Sequence, residues 1–249
     1  NMFTNVTVNA AMGIANQVNS AVYSFVSNFQ TAFNPQLVKS YAAGEKEKFD
    51  TLIIRSAKLS FILMWFIVLP LYLNCEFVLT LWLKNVPKYA VDFVRLILIW
   101  SLIESINGPL YMAIQATGKI KFYQIIIGII NLSNLPLVIL ALHFNNTPLC
   151  ILYIKIFTNI IALIFRLILI FKYTAFSILN FIKNNIFIPF IIVIVSVIIT
   201  NSLCVLFNKN MYFFASCLSS VITTGLLFLI IGLTKSERQA LKNRLERKL

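Results

Sequence analysis

Glu104 lies near the centre of an apolar stretch, 92–116, and Asn107, Gly108 and Pro109 follow it. In a bilayer a mid-span carboxyl group costs about 2.5–3.5 kcal/mol or more unless it is paired, protonated or hydrated. Two roles are therefore open for Glu104. It is a proton or cation coupling site, or it is one half of a buried ion pair, with Lys155 or with an Arg upstream of this sequence. Gln115, eleven residues on, falls on the same helical face. Pro109 has no N–H for the carbonyl of Ser105, so a kink is expected there, with Gly108 and Pro109 as a hinge.

A second set of polar residues follows helical spacing. Asn19, Ser20, Tyr23, Ser27, Gln30 and Asn34 lie three, four, seven, eleven, fourteen and eighteen residues after Asn16. Those offsets fall on one face of a helix, and a long polar face does not suit lipid. Asn16, Asn19, Tyr23, Ser27 and Gln30 are the expected lining of a substrate cavity; bonding between packed helices is the other use of such residues. Lys155 with Asn159 one turn deeper gives a cationic face suited to an anionic headgroup such as a diphosphate. Arg166 and Arg95 read as anchors near span ends. Pro35 is expected to bend or end the first helix. Asn131, Asn134 and Pro136 read as packing or hinge residues, and Trp65, Trp82 and Trp100 as lipid-facing or interfacial.

The elements that must hold these residues are apolar helices. The 249-residue chain is 59% hydrophobic and 12% charged, with mean hydropathy +0.87. A soluble domain carries about 25% charged residues. Spans are expected at 10–33, 58–82, 92–116, 121–142, 149–171, 186–207 and 211–233. The fold class is an all-α polytopic membrane protein with about seven transmembrane helices. The runs are long and continuous, unlike the alternating strands of a barrel.

The net charge of +13 does not point to nucleic acid, because the basic residues cluster at span ends. Segment 34–58 holds Lys39, Lys46, Lys48, Arg55 and Lys58. The tail holds Lys235, Arg238, Lys242, Arg244, Arg247 and Lys248, while the loop at 143–148 has no Lys or Arg. By the positive-inside rule the C-terminus is cytoplasmic. An odd number of further upstream spans would then bring the N-terminus inside. The tail 234–249 reads as a basic amphipathic helix with Leu241, Leu245 and Leu249 on one side and a capping box from Ser236 to Gln239. Cys75, Cys150, Cys204 and Cys217 lack metal-ligand spacing. The sequence contains no catalytic set, so an enzyme is not expected, and no cofactor is implied.

Residues 10–45 resemble a segment of bacterial polysaccharide flippases, the Wzx-type O-antigen and repeat-unit transporters of the MATE-like MOP superfamily. The specific parts are Gly13-Ile-Ala-Asn-Gln-Val, Phe33-Asn-Pro-Gln and Ser40-Tyr-Ala-Ala-Gly. Residues 108–118, GPLYMAIQATG, resemble a later helix that precedes a basic cytoplasmic turn. The resemblance implies the C-terminal lobe of such a flippase plus two extra helices. Residues 1–172 would be a partial second lobe with five spans, 173–233 the two extra helices, and 234–249 the tail, with about seven further spans upstream.

It also implies a function: moving an undecaprenyl-diphosphate-linked oligosaccharide from the inner to the outer leaflet of a bacterial inner membrane by alternating access. The partners would be the lipid-linked oligosaccharide, membrane lipids, and a polysaccharide polymerase and glycosyltransferases. Two alternatives stand beside it. A multidrug or cation antiporter of the same fold needs intramembrane acids, of which Glu104 is the clear case. A non-transporting scaffold of a glycan-assembly complex needs no polar cavity.

Overall fold

The computed structural model describes residues 6–144, 147–204, 209–234 and 237–239, all helical apart from turns and short links, with no strand among them. The chain forms two compact units, 1–178 and 179–249.

The first unit contains α1 (Val6–Thr31), α2 (Asn34–Ala42), α3 (Lys46–Leu73), α4 (Cys75–Leu83), α5 (Ala90–Ala116), α6 (Ile120–Phe144) and α7 (Cys150–Thr174). α5 is its axis, packed by α1, α3 and α7, while α6 lies outermost against α7. α5 is accordingly buried on several sides, through Phe93, Ile97, Leu98, Ser101, Ser105, Asn107 and Leu110. α6 buries only Tyr123 and Ile127 and leaves Ile129, Leu132 and Leu135 exposed, a lipid-suited face.

Several expected boundaries shift. The span expected at 58–82 is two helices. α3 starts at Lys46, well before the apolar run, and it ends where Asn74 turns its amide back to the carbonyl of Pro70, at 2.8 Å. Pro35 does not bend α1. α1 closes at Thr31, and Pro35 lies in the first turn of α2, where a missing N–H costs nothing. Asn34 thus belongs to α2, and the polar stripe of α1 stops at Thr31. α5 runs unbroken through Pro109. Trp65 is buried, not lipid-facing, whereas Trp82 is half exposed as expected.

The second unit holds α8 (Ile178–Ile182), a π-helical turn (Lys183–Phe187), α9 (Ile188–Cys204), α10 (Lys209–Leu227) and a second π-helical turn (Phe228–Gly232). α9 and α10 pack as a pair. Their interface carries hydroxyls, with Thr200 and Thr223 oxygens 3.3 Å apart, the small polar contacts that bring apolar helices close. A capping box is present two residues before the expected one. The Thr234 N–H donates to the Glu237 carboxylate at 2.9 Å, and the Glu237 N–H donates to Thr234 Oγ1 at 3.4 Å. Ser236 and 240–249, with Leu241, Leu245 and Leu249, lie outside the described residues.

Five described helical segments are long and apolar enough to cross a membrane: Lys46–Leu73, Ile120–Phe144, Cys150–Thr174, Ile178–Leu203 and Tyr212–Gly232. α1 and α5, of 26 and 27 residues, match the other two expected spans in length but carry the polar residues. The protein is a multi-pass membrane protein with five such segments among the described residues, against about seven expected.

Candidate functional site

The polar residues of α1, α5, α6 and α7 converge on the α5–α7 contact. Glu104 on α5 does not form its ion pair with Lys155. It faces Arg166 on α7, with Glu104 Oε2 3.9 Å from Arg166 Nη1. Arg166 is 8% exposed, so it is no surface anchor. Its Nε donates to the Tyr123 hydroxyl of α6 at 3.1 Å, and its guanidinium lies 6.0 Å from the centre of that ring. Glu104 also accepts from Asn107 Nδ2 at 3.3 Å, and the same amide donates to Asn159 Oδ1 at 2.7 Å. Asn159 thus joins the ion-pair cluster through Asn107.

Gln115 extends this network toward the end of α5. Its amide donates to the Tyr111 hydroxyl, and the Tyr111 ring stacks on Tyr123 with centroids 5.5 Å apart. The run Gln115, Tyr111, Tyr123, Arg166 and Glu104 therefore spans three helices. Lys155 instead places Nζ 4.3 Å from the centre of the Trp100 ring, a contact worth about 0.5–2 kcal/mol. Trp100 is half-buried, with one face of its ring taken up by this cation.

The stripe on α1 divides. Asn16 and Ser20 are exposed. Asn19 accepts a hydrogen bond from Ser101 Oγ on α5. Gln30 is 2% exposed and donates to the carbonyl of Ser105 at 2.9 Å. That carbonyl is the one Pro109 leaves without an i+4 donor. Gly108 gives the Gln30 amide room, because a Cβ there would collide with it. Tyr23 and Ser27 face a cavity.

Two cavities meet at the ion pair. The larger, about 380 Å³, is lined by Tyr23, Ser27, Gln30, Thr31, Glu104, Gly108, Tyr111, Met112, Tyr123, Gln124 and Arg166. The smaller, about 200 Å³, is lined by Trp100, Glu104, Ile127, Asn131, Asn134, Lys155, Thr158, Asn159, Ala162 and Arg166. Glu104 and Arg166 line both. Along α5 the larger cavity extends from Glu104 to Met112, about 12 Å of rise. The smaller extends from Glu104 the other way, to Trp100. The lobe therefore carries two polar pockets end to end with one ion pair at their junction. Asn134 accepts from Thr158 Oγ1 at 2.8 Å, tying α6 to α7, while Asn131 lines the smaller pocket.

The residues that reasoning from sequence missed are Arg166, Tyr111, Tyr123 and Trp100. Arg166 was detectable: it follows Asn159 by seven residues and Lys155 by eleven, which puts the three on one face. No group of His, Cys, Asp and Glu among the described residues has the makings of a metal site.

The MatE family model matches residues 6–140, more than half of the chain. No curated protein and no solved structure matches. The matched range takes in α1 to α5 and most of α6. It stops before α7, which supplies Lys155, Asn159 and Arg166.

Proposed function

The chain belongs to the MatE family, whose members are membrane transporters of the MOP superfamily, and from that premise we propose that it translocates an undecaprenyl-diphosphate-linked oligosaccharide across a bacterial inner membrane. The lining of the larger cavity carries this reading. Tyr23 and Tyr111 offer rings, Gln124 offers an amide, and Ser27 and Thr31 add hydroxyls, while Tyr123 and Gln30, each 2% exposed, back the wall. Amphipathic rings with amides and hydroxyls suit a polyhydroxylated sugar, which presents C–H faces and hydroxyl edges. Arg166 in the same wall suits the oxygens of a diphosphate. The apolar exterior of α6 suits a polyprenyl tail left in lipid.

The mechanism proposed is alternating access, in which two lobes rock about a midplane site. The basic tail then lies on the cytoplasmic face, and a polymerase and glycosyltransferases are the working partners. A drug-cation antiporter is the weaker reading, because Glu104, the acid it would use, faces Arg166 at 3.9 Å.

The test is a leaflet assay. The full-length protein is reconstituted in vesicles with a fluorescent polyprenyl-diphosphate oligosaccharide, and a membrane-impermeant quencher reads the leaflet. Protein-dependent exchange, reduced at least tenfold in Arg166→Gln, is expected. Exchange no faster than in empty vesicles, together with efflux of a lipophilic cation dye, would replace this reading with the antiporter. Neither activity would leave the scaffold.

A further inference from the structure

Arg166 and Glu104 are an ion pair by proximity but not by hydrogen bond. The 3.9 Å between Nη1 and Oε2 exceeds hydrogen-bond reach. Arg166 Nη1 is buried and has no hydrogen-bond acceptor. The other edge of the guanidinium is fixed, since Nε donates to Tyr123 Oη. The group is thus anchored on one side and unsatisfied on the other. Buried arginine nitrogens seldom remain so, and charge-assisted bonds to carboxylate or phosphate are the strong ones available. Both members of the pair also line the larger cavity, so an oxyanion there lies beside the guanidinium and meets Nη1 once the side chain turns.

Building on the substrate class proposed above, we infer that Arg166 is a shared partner: it faces the Glu104 carboxylate when no anion is bound, and turns to a phosphate or diphosphate oxygen that enters the larger cavity, while Glu104 takes one proton.

The proton follows from charge. The charged groups that bear on Glu104 are Arg166 and Lys155, both on α7, and α3 adds none. The Tyr23 hydroxyl of α1 and the Tyr123 hydroxyl of α6 lie in the same field, and Tyr111 of α5 itself lines the cavity. Lys155 is engaged with Trp100. When Arg166 turns to an incoming anion, the carboxylate loses its nearest cation and keeps the Asn107 and Asn159 amides and the more distant Lys155, a situation in an apolar span that a carboxyl group relieves by becoming neutral. The balance is simple: one anion enters, one proton passes from solvent through the cavity to a Glu104 oxygen, and no covalent bond other than O–H forms. The site therefore links anion binding to proton uptake within a single lobe.

The experiment is calorimetry on the full-length protein in nanodiscs of zwitterionic lipid, titrated with inorganic pyrophosphate and, separately, with a short-chain prenyl diphosphate. Each titration is run in buffers of different ionisation enthalpy, which reads protons taken up per ligand bound. Wild type should take up about one proton more than Glu104→Gln, a difference in which the ligand's own protonation cancels. Glu104→Gln should bind as tightly as wild type or more tightly. Arg166→Gln should bind at least about tenfold more weakly, and Arg166→Lys should recover part of that loss.

Binding by the prenyl diphosphate alone identifies a lipid-linked ligand; equal binding by both identifies the diphosphate itself. Equal proton uptake by wild type and Glu104→Gln overturns the exchange and leaves the substrate class standing. If neither ligand binds wild type or Glu104→Gln, the substrate class falls and the exchange falls with it.

Discussion

Gln30 on α1 donates its side-chain amide to the main-chain carbonyl of Ser105 on α5, and that carbonyl is open because Pro109 has no N–H to give it. A residue that looks like a cavity liner in sequence is thus also the cap on a gap in the neighbouring helix. The same amide fills the space that Gly108 leaves. Three residues on two helices therefore form one device: a proline that opens a carbonyl, a glycine that clears the approach, and a glutamine that closes it.

Gln30→Ala should leave the Ser105 carbonyl buried and unpaired, at a cost of about 1–3 kcal/mol. In a Pro109→Ala background the restored Ala N–H satisfies that carbonyl, so the same Gln30→Ala change should cost little. Thermal unfolding of the four proteins in detergent gives the coupling directly. Additive effects would mean that the two sites are independent.

Gly108→Ala should destabilise by about 1–3 kcal/mol, because its Cβ overlaps the Gln30 amide. The double variant Gly108→Ala with Gln30→Ala should lose less than the sum of the singles, since the clash is gone. A melting-temperature cycle measures this, and full additivity would refute the steric account.

Removing one member of the ion pair strands the other. Arg166→Gln should cost about 3–5 kcal/mol by leaving the Glu104 carboxylate without its cation. Arg166→Gln with Glu104→Gln, which removes both charges, should recover most of that loss. Unfolding midpoints of the two singles and the double decide it. A double variant no more stable than Arg166→Gln would show that the two side chains do not act as a pair.

Tyr123→Phe keeps the stack on Tyr111 and deletes the acceptor for Arg166 Nε. A hydrogen bond to a charged group contributes about 1.5–3 kcal/mol, so stability should fall within that range. Exchange in the leaflet assay should slow at least several-fold, because the guanidinium loses its fixed edge. Wild-type exchange in Tyr123→Phe would show that pinning Arg166 is not needed for transport.

Much of the helical layout was legible in the sequence, and the reason is physical. α5, α6 and α7 match the apolar runs at 92–116, 121–142 and 149–171 to within three residues, because hydropathy and bilayer thickness set helix length together. The break at Asn74 was not legible. It depends on a side-chain amide that returns to the carbonyl of Pro70, a local bond that hydropathy cannot register. Glu104, Lys155, Asn159 and Tyr23 were singled out because charged and polar residues are conspicuous in apolar runs. Tyr111, Tyr123 and Trp100 were not, because aromatic residues pass as apolar filler until their rings are seen against cations. Arg166 was read as an anchor because its distance from the span end outweighed its face.

The polar residues of α1 have a consequence for how the protein is made. α1 carries Asn16, Asn19, Tyr23, Ser27 and Gln30, and of the long helices that pack around α5 it is the one that falls short of the membrane-crossing criterion. A helix with such a face partitions poorly into lipid when it leaves the insertion machinery alone. Its polar groups become tolerable once Ser101 takes up Asn19 and the Ser105 carbonyl takes up Gln30. Both of those partners lie on α5, which is synthesised some eighty residues later (Asn19 to Ser101, Gln30 to Ser105). The two bonds that satisfy these α1 side chains therefore become available only after α5 has been made.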